Sequence, residues 1–438
     1  MGNSSGTVTI SANWDKSVFN ITTNTITLKN LTLKRSSNST DEACIKTTLG
    51  TDIKIDNVFM SNCGIGILVK TSDIVISNVT IEDSVTDGIV VKNTASNVRI
   101  ENSTIKRSGD DGIQLESNVH LYNNTISSNT NRGIYVISGS DYAKIRYNKI
   151  DDNDEQGIYI FGVHHVEIRN NIIEDNENYG IQLKDANYTQ ISDNTVDDND
   201  GGLRTESTYN CNITGSTFKD NNGKGIWFTT SSNGNNIRDT VASGSSSNDI
   251  ELDDSKRNTG FNFTFGSGSI DIDSNSDFRV MNTLNIKFTN GSEAFAGVDL
   301  ELFNYDTVVY ATPFYGGNDA VSSATGFISG ELTVAYEIYN GSSTTEDVDT
   351  TLKYHYGVRG KSIDVDTGTS HTETVDVPSY WTKGLVRNTD TSTDYYKIQY
   401  AIDNASAGDT LNIWAWTYYE NIEIDEKLTI IGLSLIHI

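Results

Sequence analysis

Apolar and polar positions alternate along this chain in short bursts, and the bursts return at a fixed interval. A glycine followed by an apolar–x–apolar triplet recurs at Gly66, Gly88, Gly112, Gly133, Gly157, Gly180, Gly202 and Gly225, with steps of 22, 24, 21, 24, 23, 22 and 23 residues. The triplet loosens to Leu203-Arg204-Thr205 after Gly202. An asparagine keeps the same beat at Asn57, Asn78, Asn102, Asn124, Asn148, Asn171 and Asn194. Within the unit that starts at Gly157, Ile158 and Ile160 share one face and Tyr159 takes the other. Val166 and Ile168 then alternate with Glu167 and Arg169, and Ile173 follows the Asn170-Asn171 pair. Period-two runs this short, separated by Asn, Asp and Gly, predict about three short strands per unit and no helix.

Such strands cannot bury a face alone, so unit must stack on unit. Stacking buries one Ile/Val/Leu column and pairs each strand with the next coil about 4.8 Å away. The predicted fold is all-β: a right-handed parallel β-helix over residues 1–268, its hand following the rule for parallel crossovers. The asparagine beat predicts an amide ladder inside one turn. On that reading Asn78 and Asn102, which also start Asn-x-Ser/Thr sequons, point inward. The recurrent glycine is expected to supply a backbone angle that a β-carbon disfavours.

The period stops after the Gly260–Gly268 stretch. Residues 270–384 show alternating runs at Leu284–Phe288, Val298–Phe303, Leu332–Ile338, Thr351–Tyr356 and Thr372–Val377, which predict a β-sandwich. In residues 395–432, Ile398, Ala401, Ile402 and Ala405 predict a short amphipathic helix. Leu411–Ile413 and Leu428–Gly432 follow it as strands, the opening of a second β-helix. Residues 433–438 are set apart as a non-native tail, and the whole is expected to be a fragment of a longer protein.

These repeats resemble those of the pectin-lyase-like superfamily and of NosD-type periplasmic proteins. The segment Ala296–Leu302 with the closing Val377-Pro378 resembles an immunoglobulin-like or carboxypeptidase-regulatory-like module. Residues 395–432 look like the capping helix and first coil of another pectin-lyase-like β-helix, with Trp416 where that family usually has glycine. The superfamily resemblance implies a fold and leaves the activity open, since it hosts lyases, hydrolases, adhesins and inert stalks.

The net charge is −27 and the pI near 4.4. That disfavours nucleic acid and anionic membrane as partners. No apolar stretch reaches the length of a membrane span. Cys44, Cys63 and Cys211 lack metal-ligand spacing; buried thiols are the favoured reading and a Cys44–Cys63 disulfide between adjacent coils the alternative.

Outward positions two residues after successive glycines read Gln114, Tyr135, Tyr159, Gln182, Arg204 and Trp227. Aromatic rings, amides and a guanidinium in one file suit a carbohydrate groove, the alternative being aromatic packing between rungs. Asp87 and the Asp110-Asp111 pair fall one coil apart before Gly88 and Gly112, and they resemble the carboxylate stretches of polygalacturonase-like hydrolases. Three readings stay open for them: turn residues, a calcium site, or catalysis with Arg132 nearby. The Gly-His-Gly and Arg-x-Lys motifs of that family are absent. Asp152, Asp154, Asp175 and Asp198 lie in stacked acidic turns, a second place for Ca2+ beside Asp110 and Asp111. No cofactor is required by any of these readings. The expected role is an extracellular or cell-surface scaffold or adhesin that binds a polysaccharide or cell-surface glycan. A polysaccharide hydrolase or lyase using Asp87, Asp110 and Asp111 is the alternative.

Overall fold

The computed structural model describes residues 8–11, 16–35, 41–266, 269–341, 343–346, 348–356, 359–378, 381, 386–395, 397–414, 418 and 420–433. Trp416 and residues 434–438 lie outside them. The chain forms two compact units, residues 1–280 with 338–344, and residues 281–337 with 345–438.

The first unit is a parallel solenoid. Its glycine-led strands form one 12-stranded sheet, here the glycine face. Each coil adds a strand to a second and a third face, as in Ile158–Phe161, Glu167–Arg169 and Ile172–Glu174. Register is direct: Ile113 pairs with Ile134, Ile134 with Ile158 and Ile158 with Ile181. All four are fully buried, so the predicted internal file is continuous. Leu121, Ile145, Ile168 and Ile191 form a matching file on the second face, and Ile126, Ile150 and Ile173 on the third. The stack continues past Gly268, because Ile250–Leu252 pairs with Ile270–Ile272.

The corners explain why strands of three residues suffice. Many coils carry left-handed residues five apart, such as His165, Asn170 and Asp175, then Tyr188, Asp193 and Asp198. The residue after each corner points inward. Asn124, Asn148, Asn171 and Asn194 hold such positions and chain their amides, each Nδ2 donating to the next Oδ1 at 3.0 Å. A second ladder that the asparagine beat did not predict runs through Asn129, Asn153, Asn176, Asn199 and Asn221 at the next corner. The predicted ladder is out of register at its start. Asn57, Asn78 and Asn102 are themselves left-handed corners and exposed. The inward places there belong to Val58, Val79 and Ser103. Asn78 and Asn102 therefore face solvent.

The recurrent glycines also act differently from the expectation. Gly88, Gly112, Gly133, Gly157 and Gly180 do not have positive φ. A β-carbon on Gly157 would meet Ile173 Cγ2 at 2.7 Å and the Gly180 carbonyl oxygen at 2.8 Å, and the other four meet the third-face apolar file in the same way. Glycine is required by close packing across the coil. Cys44 and Cys63 form a disulfide, with Cα atoms 5.6 Å apart, which replaces the favoured reading of buried thiols; Cys211 alone is a buried thiol.

In the second unit, the antiparallel sheet of Thr307–Ala311, Asp299–Asn304, Thr350–Tyr356 and Arg359–Asp364 shares a core with Leu284, Ile286, Phe288, Val375 and Trp381. Farther on, the helix Ile398–Asp403 packs Ala401 and Ile402 on Val386 and Leu411. Thr410–Trp414 there pairs in parallel with Thr429–Leu433.

Candidate functional site

The glycine face carries the predicted outward file. Gln114, Tyr135, Tyr159, Gln182, Arg204 and Trp227 are register partners on successive rungs. Two clusters break the file into a repeating theme of guanidinium against ring. In the first, Tyr135 and Tyr159 stack with centroids 5.5 Å apart and planes 6° from parallel. The Arg132 guanidinium lies 4.1 Å from the Tyr135 centroid and 5.2 Å from that of Tyr159. In the second, Arg204 sits 4.6 Å from the Trp227 ring and 5.7 Å from Tyr179, and the Lys224 ammonium sits 3.4 Å from Trp227. Trp227 Nε1 donates to Asp253 at 2.8 Å, which fixes the indole.

This arrangement changes what the face can offer. The two tyrosine rings spend their faces on each other and on Arg132, so they present edges and hydroxyls to a ligand. Cations over ring faces are worth roughly 0.5–2 kcal/mol each, and they hold the guanidinium groups in fixed poses. Arg132 Nε and Arg204 Nε are buried and have no acceptor among the described residues. Gln182 donates to Glu206 at 3.2 Å, Arg204 pairs with Glu206 at 2.6 Å and Lys184 at 3.1 Å. Gln114 donates to Glu116 at 3.0 Å, and Glu116 also receives Lys92. Amides, carboxylates and cations are thus already oriented by one another.

Tyr179 and Lys224 belong to the site although the two-after-glycine rule passes over them. Both immediately precede a glycine, and that position borders the same face, as Asp87, Asp111 and Arg132 also do. The Tyr179 ring reaches toward Trp227 across Gly201, where a β-carbon would lie 2.3 Å from it.

Beside the fourth and fifth strands of the face Asp87 and Asp111 fall on adjacent rungs, and both are buried. Burial, with Asp111 and Asp110 adding repulsion, lifts the Asp87 carboxyl to about 7. Burial lifts Asp111 to about 6 against the opposing pull of Arg132, whose Nη1 is 3.5 Å away. Arg132 N–H also donates to Asp111 at 3.1 Å. Asp87 Oδ1 has no hydrogen-bond partner among the described residues. Asp110 accepts from Asn131 at 2.8 Å. Burial pushes the phenols of Tyr159 and Tyr179 up, the latter to about 12, so neither is a ready base.

The acidic residues named for calcium are spread along the coils. Among the described residues no three acidic or imidazole side chains gather as a metal-binding group. Asp152, Asp175 and Asp198 occupy exposed left-handed corners, where the backbone turn gives the acidic side chain its place. Asp154 is exposed on the segment after a corner, and Asp111 is taken by Arg132.

The family described as "Right handed beta helix region" matches residues 16–163 and 116–277. The chain belongs to that family, and the right hand expected from the repeat holds. The chain is also similar to solved structures. The A-module of the Azotobacter vinelandii mannuronan C-5 epimerase AlgE4 is 14% identical, with 56% of this chain and 82% of that one covered and a TM-score of 0.43. A double mutant of the periplasmic alginate epimerase AlgG is also 14% identical, over 57% and 71%, at 0.44. Pectate lyase Pel9A is 14% identical, over 52% and 70%, at 0.40. These similarities describe the fold. No curated protein sequence matches. No helix among the described residues is long and apolar enough to cross a membrane.

Proposed function

We propose that the chain is a glycan-binding β-helix of the cell exterior, holding a polysaccharide on its glycine face. The observation that carries this reading is the pair of guanidinium groups braced on rings, Arg132 on Tyr135 and Tyr159, and Arg204 on Trp227 and Tyr179. The rings hold both guanidinium groups in fixed poses along one face, and their outer N–H groups are the donors offered to an incoming hydroxyl or carboxylate. Their rungs lie three steps apart, about 14 Å at the usual strand spacing, so a ligand touching both is an oligosaccharide and not a single sugar. The Cys44–Cys63 disulfide fits an oxidising compartment. The test is affinity electrophoresis against neutral and acidic polysaccharides with Arg204→Ala, Tyr159→Ala and Trp227→Ala. Retardation of the parent and its loss in the variants supports the reading; equal mobility in every gel sinks it.

A second reading rests on Asp87. A buried carboxyl that keeps its proton to about pH 7 beside a second carboxyl suits general acid work on a glycosidic oxygen. It makes the chain a polysaccharide hydrolase, or a lyase with Arg132 stabilising charge. Release of reducing ends or of unsaturated uronate from a bound polysaccharide, abolished in Asp87→Asn, is its signature. A bound polysaccharide that stays intact after long incubation excludes it.

A further inference from the structure

We propose that the outer surface of the second face, at Arg99, His120, Lys144 and Arg146, is a separate site for an anionic polysaccharide bearing carboxylate or sulfate groups on successive units. Arg99, His120 and Lys144 are register partners on three consecutive rungs, so their heads project side by side at about 5 Å intervals. Arg146 stands beside Lys144 in the next outward file, in register with Tyr122. Together they line a depression of about 220 Å³ with Leu121 and Tyr122. A neighbouring hollow of about 370 Å³ extends it along Asn97, Asn118 and His120.

In a chain of net charge −27, such a cluster stands out because its compensation is partial. Arg99 pairs with Glu101 at 2.5 Å, and Arg146 pairs with Glu167. Lys144 and His120 have no ion pair among the described residues, and Arg146 Nε is buried with no acceptor. Partial burial, then the fields of Lys144, Arg146 and Arg99, hold the His120 imidazole below its usual range, with Glu167 opposing. The local potential is therefore positive where the molecule as a whole is negative, and it favours an anion placed between these heads.

The neighbours of the cations point to sugar. Tyr122 and Tyr147 pack at 5.2 Å, tilted 60°, and both residues are a little under half exposed, Tyr122 under the Arg99 guanidinium at 5.8 Å. Ring surface beside closely spaced cations suits the apolar face of a sugar whose acid group is held next to it. Nucleic acid fits poorly. Phosphate recognition gathers its strength from many cations, whereas this patch has three beside the histidine, two of them already paired, on a strongly acidic body. The site lies on a different face from Arg132, Arg204 and Trp227 and does not depend on them.

The test is isothermal titration of the full chain with an oligouronate hexasaccharide and with a heparin-derived hexasaccharide, each at low and moderate salt. Binding that weakens with salt and falls at least tenfold in the Arg99→Gln/Lys144→Gln double variant is expected. The Tyr159→Ala/Trp227→Ala variant is expected to keep this binding. All four side chains are solvent-facing, so unfolding temperatures should match the parent; Lys144→Glu alone should show the same loss. The tighter of the two ligands identifies carboxylate or sulfate as the preferred group. Parent-like binding by the double variant overturns the proposal. So does equal affinity for a neutral hexasaccharide, or for an oligonucleotide of the same charge.

Discussion

Replacing Asn171 by alanine tests the interior amide column directly. The Asn171 side chain makes four hydrogen bonds. Its Oδ1 accepts from Asn148 N–H at 2.9 Å and from Asn148 Nδ2 at 3.0 Å, and its Nδ2 donates to Ile145 O at 2.9 Å and Asn194 Oδ1 at 3.0 Å. Alanine leaves the Asn148 backbone N–H buried without a partner, a loss of ~1–3 kcal/mol, and deletes three further bonds of ~1 kcal/mol each. The sum is about 4–6 kcal/mol. Serine should lose only about half as much. At the continuation of this same column, Ser216 Oγ accepts the Asn194 N–H at 3.2 Å and Thr240 Oγ1 accepts that of Ser216 at 3.4 Å. A hydroxyl therefore satisfies the backbone donor even though it breaks the amide chain. Urea unfolding followed by far-ultraviolet circular dichroism reads both variants as midpoint shifts. If alanine and serine unfold together, within ~1 kcal/mol of the parent, the column is ornamental and the reasoning fails.

Further outcomes follow from the same geometry. Gly157→Ala should destabilise the solenoid by ~1–3 kcal/mol, because its β-carbon meets Ile173 and the Gly180 carbonyl; a variant as stable as the parent contradicts the close-packing role. Reducing Cys44–Cys63, which closes a loop of sequence separation 19, should lower stability by about 3 kcal/mol, read as a lower unfolding temperature with reductant. Asp87 and Asp111 keep their protons in the folded chain where the unfolded chain has released them. Their contribution is thus fully present below about pH 4 and is lost as pH rises through about 6 to 7. Asp87→Asn should consequently be more stable than the parent at pH 8, by roughly 4 kcal/mol, and the gap should close toward pH 4; the opposite order at pH 8 refutes the burial argument.

The period of Gly66 to Gly225 made the stack legible, because a rung must present the same inward residue each time. Ile113, Ile134, Ile158 and Ile181 could be aligned from the text alone. The asparagines were harder. A corner has two consecutive polar places, one left-handed and exposed, one inward, and asparagine suits both. Asn102 and Asn124 keep the beat yet sit on opposite sides of that distinction. The glycine's reason was hidden for a different cause: a clash with Ile173 involves a residue on another strand of the coil, which spacing does not reveal. The outward file was readable as a set of partners, but the stacking of Tyr135 on Tyr159 and the reach of Tyr179 over Gly201 depend on side-chain torsions. The basic cluster of the second face leaves no motif, because successive members Arg99, His120 and Lys144 lie more than twenty residues apart in sequence.

The left-handed corners act as a ruler. Between the first and last corner of a coil the count is fixed at fives, as in Tyr142, Tyr147, Asp152 and again in His165, Asn170, Asp175. From glycine to first corner the count drifts, from Gly133 to Tyr142 or from Gly157 to His165, nine residues in one case and eight in the other. An indel inside the fives would throw inward residues out and break both amide columns. One in the elastic segment leaves them untouched. Lineages built on this frame can therefore lengthen or trim the margin of the glycine face coil by coil, altering what it grips while the scaffold stays in step.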